Sequence, residues 1–244
     1  SIQPQAAEEI FGVNDKKQLA EAEKIKRKEA AEKLLQKGVT LADPMRIDVR
    51  GDLVCGKDVF IDVNVVFEGD VNIAEGASIG PHSVIANSTI GRHTKILSHC
   101  SLEHANIGDN CLVGPFARLR PGTELMDSAK AGNFVEIKKS RIGQKSKVSH
   151  LSYIGDAVVG NEVNVGAGTI TCNYDGANKN QTIIEDNVFI GSGVELVAPV
   201  AVKEGATIGA GSTITKQAPK NKLTLERAHQ KTIPGWKRPK KNTT

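Results

Sequence analysis

The chain has 244 residues, a formal net charge of +4, 39% hydrophobic residues but only 4% aromatics, and 24 glycines. So few aromatics exclude a bulky layered core, and the glycines point to thin layers with many turns in one large domain or two small ones. There is no continuous apolar run of membrane-spanning length and no leader pattern. Cys55, Cys100, Cys111 and Cys172 lack CxxC spacing, so neither zinc nor a disulfide framework is expected. Reduced thiols in a cytoplasmic protein fit better. Ser1 in place of Met leads to the expectation that the chain begins inside a longer protein.

Residues 1–13 show no clear pattern, and 14–43 read as a helical arm. From Asp15 to Lys37 strong helix formers run without Pro or Gly; Asn14 or Asp15 can cap the start, and Gly38 stands where a glycine cap belongs. Leu19, Ala22, Ile25, Ala30, Leu34 and Leu35 give an imperfect apolar stripe. Acids interleave with the lysines, so this is not a DNA-binding basic region.

From Val49 aliphatic residues recur every six positions, through Cys55, Ile61, Phe67, Ile73, Ile79 and Ile85, with steps of five at Ile90 and Ile107. The series continues through Val113, Leu119, Leu125, Ile137, Ile142, Val148, Ile154, Val159 and Val165, and resumes after a loop from Ile184 to Ile214. Two positions earlier stand small residues such as Ala77, Ser83, Ser88, Thr94, Cys100, Cys111, Ser140, Ser146 and Ser152. Two sixes and a five make a 17-residue coil of three short strands, a parallel β-helix of roughly ten coils over 44–215. Both inward positions follow from strand alternation, which makes Cys55, Cys100 and Cys111 structural. This repeat resembles the hexapeptide acyltransferases, which implies an all-β, left-handed parallel β-helix. A basic tail over 216–244 follows, with nine Lys/Arg and one acid. It suits phosphate-bearing partners or simple solubility equally well.

If the inward positions are known, the outward ones follow. Arg120 and Lys138 stack on successive coils, Glu136 stacks with Tyr153, and Asn133, His150 and Ala167 share a corner column. Such a group suits acyl transfer to an amine. His150 serves as base, backbone N–H groups of Gly166, Ala167 and Gly168 receive the oxyanion, and Arg120 and Lys138 hold a phosphate. Tyr153 and Asn164 would orient hydroxyls. A backbone carbonyl, Asn133 or Glu136 could orient the imidazole, and Glu136, in the column beside His150, is expected to contribute. The bland alternative is a solvated outer face on which His150 is an ordinary corner residue.

Five stretches sharpen the choice: GPFARLRPG (114–122), GNFVEIKKS (132–140), SHLSYIGD (149–156), NVGAGTITCNYDGANK (164–179) and FIGSGVELVAPV (189–200). They resemble the acetyltransferase domain of the bacterial family of bifunctional N-acetylglucosamine-1-phosphate uridyltransferase/glucosamine-1-phosphate acetyltransferases. The resemblance implies acetyl transfer from acetyl-CoA to glucosamine 1-phosphate on the route to UDP-N-acetylglucosamine, in a homotrimer. It implies His150 as general base. Arg120, Lys138, Tyr153, Asn164, Lys179 and Glu136 would bind the sugar phosphate or its UDP-linked form, and Ala167, Asn173, Tyr174, Ser192, Ala210 and Arg227 would line the acetyl-CoA site. It also makes 1–13 a remnant of the uridyltransferase domain, whose magnesium Asn14 helps to hold when that domain is present. Asn180 and Gln181 depart from the family, which carries an aromatic or basic pair there.

Rival readings are another amino-sugar acceptor, a zinc carbonic anhydrase-like β-helix using His82, His93, His99 and His104, and a non-catalytic trimerisation stalk. The loop TCNYDGANKNQT (171–182), where the repeat breaks after Thr171, contains Asn, Asp and Gly, ordinary turn formers. Cys172 within it is a reactive thiol only if exposed, and Trp236 in the tail has two readings, packing or stacking.

Overall fold

The computed structural model describes residues 12–239. The expected remnant over 1–13 therefore lies outside the described residues apart from Gly12 and Val13. Helix α1, Lys16–Gln36, begins at Asp15, whose carboxylate accepts the Gln18 N–H at 2.8 Å. Asn14 stands one residue before the cap, with its backbone N–H on the Gln18 side-chain oxygen at 2.6 Å. The helix ends where Gly38 turns left-handed, at φ +85°. Only Ala31 and Leu34 of the helix are buried, against the strand Ile47–Cys55, while Leu19 and Leu35 stay exposed. The arm thus plugs one end of the body behind it.

That body is a parallel β-helix with three faces. The first face is a sheet of eleven strands running from Thr40–Leu41 to Leu223–Thr224. The second contains Arg118–Leu119, Glu136–Lys138, Tyr153–Gly155 and Ile170–Cys172; the third contains Thr123–Leu125, Arg141–Ile142, Ala157–Val159 and Thr182–Ile184. The nine-residue strands Ile47–Cys55 and Val65–Ile73 run round the corner between these two faces and join them. At each corner one residue per coil takes a left-handed φ. His82, His99, Phe116, Phe134 and Leu151 form the column between first and second faces. Asn87, His104, Lys139 and Asp156 form that between second and third, and Asp58, His93, Asn110 and Lys145 the last.

The hexapeptide series supplies the core. Phe67, Ile79, Ile96, Leu119, Ile137, Ile154 and Ile184 are among its fully buried side chains. Ala131, at 0% exposure, fills the inward place in the gap between Leu125 and Ile137, and buried Thr171 does so beyond Val165. Val49 is only partly buried, because the first coil has helix α1 rather than another coil beneath it. Since each coil is covered by its neighbours, the many modest burials add along the axis.

The small inward residues do more than save space. Thr94 Oγ1 donates to the Gly108 carbonyl at 2.7 Å and accepts the Cys111 N–H at 2.9 Å. Ser146 does the same between Gly160 and Val163, at 2.6 and 2.9 Å. These hydroxyls tie one coil to the next inside an apolar core. Among the described residues buried Thr182 is the exception, with its hydroxyl unpaired. Thr94→Val is expected to lower stability by about 1–3 kcal/mol, and Thr182→Val to leave it equal or raise it by about 1 kcal/mol. Chemical unfolding of both variants checks the sign of each.

Candidate functional site

The second face and its corner with the first gather most of the expected residues. Tyr153 lies in register with Glu136, and Lys138 with Gly155, on adjacent coils. Arg118 pairs with Glu136, which sets Arg120 beside Lys138. Arg120 Nη1 lies 2.8 Å from Glu136 Oε1, a half-exposed ion pair. A Cβ on Gly155 would collide with the Tyr153 hydroxyl, so glycine there lets the phenol fold across the face. His150 stands exposed at the corner, one coil above Asn133. Its Nδ1 lies 2.5 Å from Asn133 Oδ1. Of the two neighbours offered as orienting His150, Asn133 lies against the ring, and the carboxylate of Glu136 is paired with Arg120.

At the far edge of this face a loop leaves at Asn173 and returns at Thr182, carrying Lys179. The Lys138 ammonium beside Lys179 pulls its amine below the usual lysine range, with Asp156 and Tyr153 opposing. Two converging cations at an open surface are suited to an anion. Buried Asn173 donates its amide to Asp156 Oδ2 at 2.5 Å, so it anchors the loop rather than facing outward. Asp175 closes the tip by accepting the Ala177 and Asn178 N–H groups and the Asn180 side-chain amide. The departure at Asn180 thus has a role inside the loop. Tyr174 is exposed, with its hydroxyl on the Gly176 carbonyl at 2.6 Å.

The acetyl-CoA candidates divide. Ala167, Ser192 and Ala210 stand in one column directly above His150, linked by Gly168 N–H to His150, Gly193 N–H to Ala167 and Gly211 N–H to Ser192. Arg227 closes the column with Nη1 3.4 Å from the Ala210 carbonyl. Asn173 and Tyr174 lie at the opposite edge of the second face, away from it. Of Gly166, Ala167 and Gly168, the outer two spend their N–H groups on Ile190 and His150, and Ala167 N–H carries no backbone bond. Asn164 is on the first face, in register with Lys147 and Phe189, across the corner from Tyr153.

Other expectations resolve simply. His82 and His99 stack at 4.9 Å and continue into Phe116 and Phe134, while His104 and His93 occupy the other two corners. Among the described residues no group of three or more His, Cys, Asp and Glu converges. Burial pushes the Cys55 and Cys111 thiols up to about 11. Cys172 is raised by burial and by Glu195, 3.5 Å away, so it is not an activated thiol. Trp236 is exposed in an irregular segment.

The bacterial transferase hexapeptide model (six repeats) matches residues 52–87 and 181–216. Hexapeptide repeats are thus present in the chain. It is 58% identical over 99% of its length to "Bifunctional protein GlmU" of Ralstonia pickettii (strain 12J), covering 53% of that protein. With the protein of the same name from Cupriavidus pinatubonensis it shares 57% identity at the same coverage. The hexapeptide chain thus spans about half the length of the curated relatives it matches. An Arabidopsis UDP-N-acetylglucosamine acyltransferase shares the β-helical fold, with a TM-score of 0.60 at 17% identity over 72% of this chain and 68% of that one.

Proposed function

We propose that this chain is the acetyltransferase part of a GlmU-type protein, moving acetyl from acetyl-CoA to the amine of glucosamine 1-phosphate. The observation that carries the reading is the corner at which Asn133-held His150 meets the second face on one side and the small-residue column on the other. An amide oxygen can only accept, so the contact takes the Nδ1 proton and leaves Nε2 with its lone pair to receive a proton from an attacking amine. Ala167 N–H is the donor available to a developing oxyanion nearby. Lys138, Lys179 and Arg120 receive the phosphate at the far edge of the face, and Tyr153 lies between. The column through Ala210 fits an extended, flexible thioester arm, and Arg227 fits its phosphates; when bound, acetyl-CoA supplies the activated acyl group. Asn164, on the first face, would serve a ligand held against a second copy. This fits a homotrimer with sites between subunits.

On the same proposal the chain divides into an arm over 14–43, an acetyltransferase body over 44–215 and a tail from 216. The product enters UDP-N-acetylglucosamine synthesis in the cytoplasm; no described helix is long and apolar enough to cross a membrane. Magnesium belongs to a uridyltransferase domain outside this sequence, since Asn14 alone is no cation site.

The deciding test is acetyl-CoA consumption with glucosamine 1-phosphate as acceptor. Turnover supports the reading, and none by a correctly assembled protein sinks it. Lys179→Met is expected to raise KM for the acceptor about tenfold with kcat little changed, the scale of one charge-assisted contact. In the parent, a bound phosphate offsets the repulsion from Lys138 and restores the Lys179 proton. Acceptor affinity should therefore fall as pH rises through the depressed Lys179 pKa, and an acceptor KM profile to alkaline pH checks this.

A further inference from the structure

Along the corner that carries His150, the left-handed position changes character at one coil. Below and beside His150 it holds His82, His99, Phe116, Phe134 and Leu151; above, it holds Gly168, Gly193 and Gly211. The turn itself does not demand glycine, since eighteen of the described residues other than glycine adopt a left-handed φ. Nor does crowding: a Cβ on Gly168 would find its nearest neighbour at 3.7 Å, one on Gly193 at 4.0 Å and one on Gly211 at 3.9 Å. Side chains are kept out of space that is open and sterically permitted.

Leu151 stands where that clear run ends. It is an apolar side chain 62% exposed to water, at φ +50°, immediately after His150. A bulky residue at positive φ is a conformational outlier that surrounding contacts ordinarily over-determine. Phe116 and Phe134 have such contacts, because their rings stack at 5.3 Å. Leu151, the next residue of the column, carries no ring to extend that stack. At 62% exposure the side chain stays largely in water, so both its conformation and its exposure cost stability.

We infer that Leu151 is the residue that sets the acyl chain length, closing the end of the run beside His150 so that acetyl thioesters fit and longer acyl thioesters do not. The inference rests on the proposed acetyl transfer. A thioester arm lying along Ala210, Ser192 and Ala167 brings its carbonyl to His150, and the next atoms of any longer acyl chain would enter the place of the Leu151 side chain. Leu151 acts by exclusion and exchanges no proton, so its effect is on donor selection and not on the chemical step.

The test compares kcat/KM for acetyl-CoA and propionyl-CoA in the parent, Leu151→Ala and Leu151→Gly. Alanine carries the same Cβ at this exposed left-handed position as leucine does, and glycine relieves it. The propionyl-to-acetyl ratio is expected to rise about tenfold in Leu151→Ala and further in Leu151→Gly, the scale of one methylene admitted to an apolar site. A ratio within about twofold of the parent in both variants overturns the inference while leaving acetyl transfer standing. A parent chain without acetyl transfer removes the reading beneath it, a different failure. If glycine weakens assembly, the alanine variant, keeping its Cβ, decides the outcome alone.

Discussion

Replacing His150 by alanine is expected to lower kcat for acetyl transfer by about two to four orders of magnitude, some 3–5 kcal/mol of barrier, while acceptor KM changes little. The size follows from the chemistry of the amine, since an ammonium cannot attack a carbonyl and no other described base stands at this corner. Glu136 is tied up by Arg120 at 2.8 Å, and Asp156 by the Asn173 amide at 2.5 Å. Folding should be untouched, since His150 is exposed and the one hydrogen bond of its ring among the described residues goes to Asn133. Steady-state kinetics with a thermal melt separate the two effects. Full turnover by the variant would remove His150 from the chemistry and return the face to a solvated surface.

The second large effect is expected at Asn133, which acts through His150. Asn133→Ala should lower kcat about ten- to a hundredfold with acceptor KM nearly constant, because Nδ1 loses the acceptor that fixes its proton and the ring loses its orientation. Asn133→Asp keeps an acceptor oxygen at that place and should recover most of the rate. Its carboxylate would favour the charged imidazolium, moving the acid limb of the kcat/KM profile to higher pH. A structural role alone would leave the pH profile where it was. Equal losses in both variants with an unmoved profile would mean that Asn133 only packs the corner.

Much of the site is legible from spacing. Inward aliphatic positions fix the outward ones, so Arg120 beside Lys138 and Glu136 beside Tyr153 can be placed from the sequence alone. What spacing does not give is pairing within a column. Column membership gives neighbours about one strand spacing apart, but not which of several neighbours a side chain bonds. Glu136 and Asn133 both adjoin His150 on that count, and the choice depends on Arg120, whose long arm claims Glu136. The signal for Asn133 is present, seventeen residues before His150 and with an acceptor oxygen, but spacing cannot rank it. Asn173 shows the same limit: a motif matched by resemblance does not reveal that its side-chain amide meets Asp156. The hydroxyls of Thr94 and Ser146 read only as small volume, because their second coil partners lie beyond the reach of a six-residue pattern.

The two ends of the β-helix differ, and the difference has a dynamic consequence. Helix α1 covers the first coil, whereas the last strands, Thr213–Ile214 and Leu223–Thr224, are followed by an irregular segment. A stack whose coils contact only their neighbours opens from its less protected terminus. Amide exchange should therefore grade along the axis, fastest in the coils near Thr224 and slowest midway, around Ile137. Fraying would first release Arg227 from Ala210 and leave His150 and Asn133 in place. The donor end of the site would breathe on a faster clock than the base, so a departing thiol could leave without the catalytic corner ever coming apart.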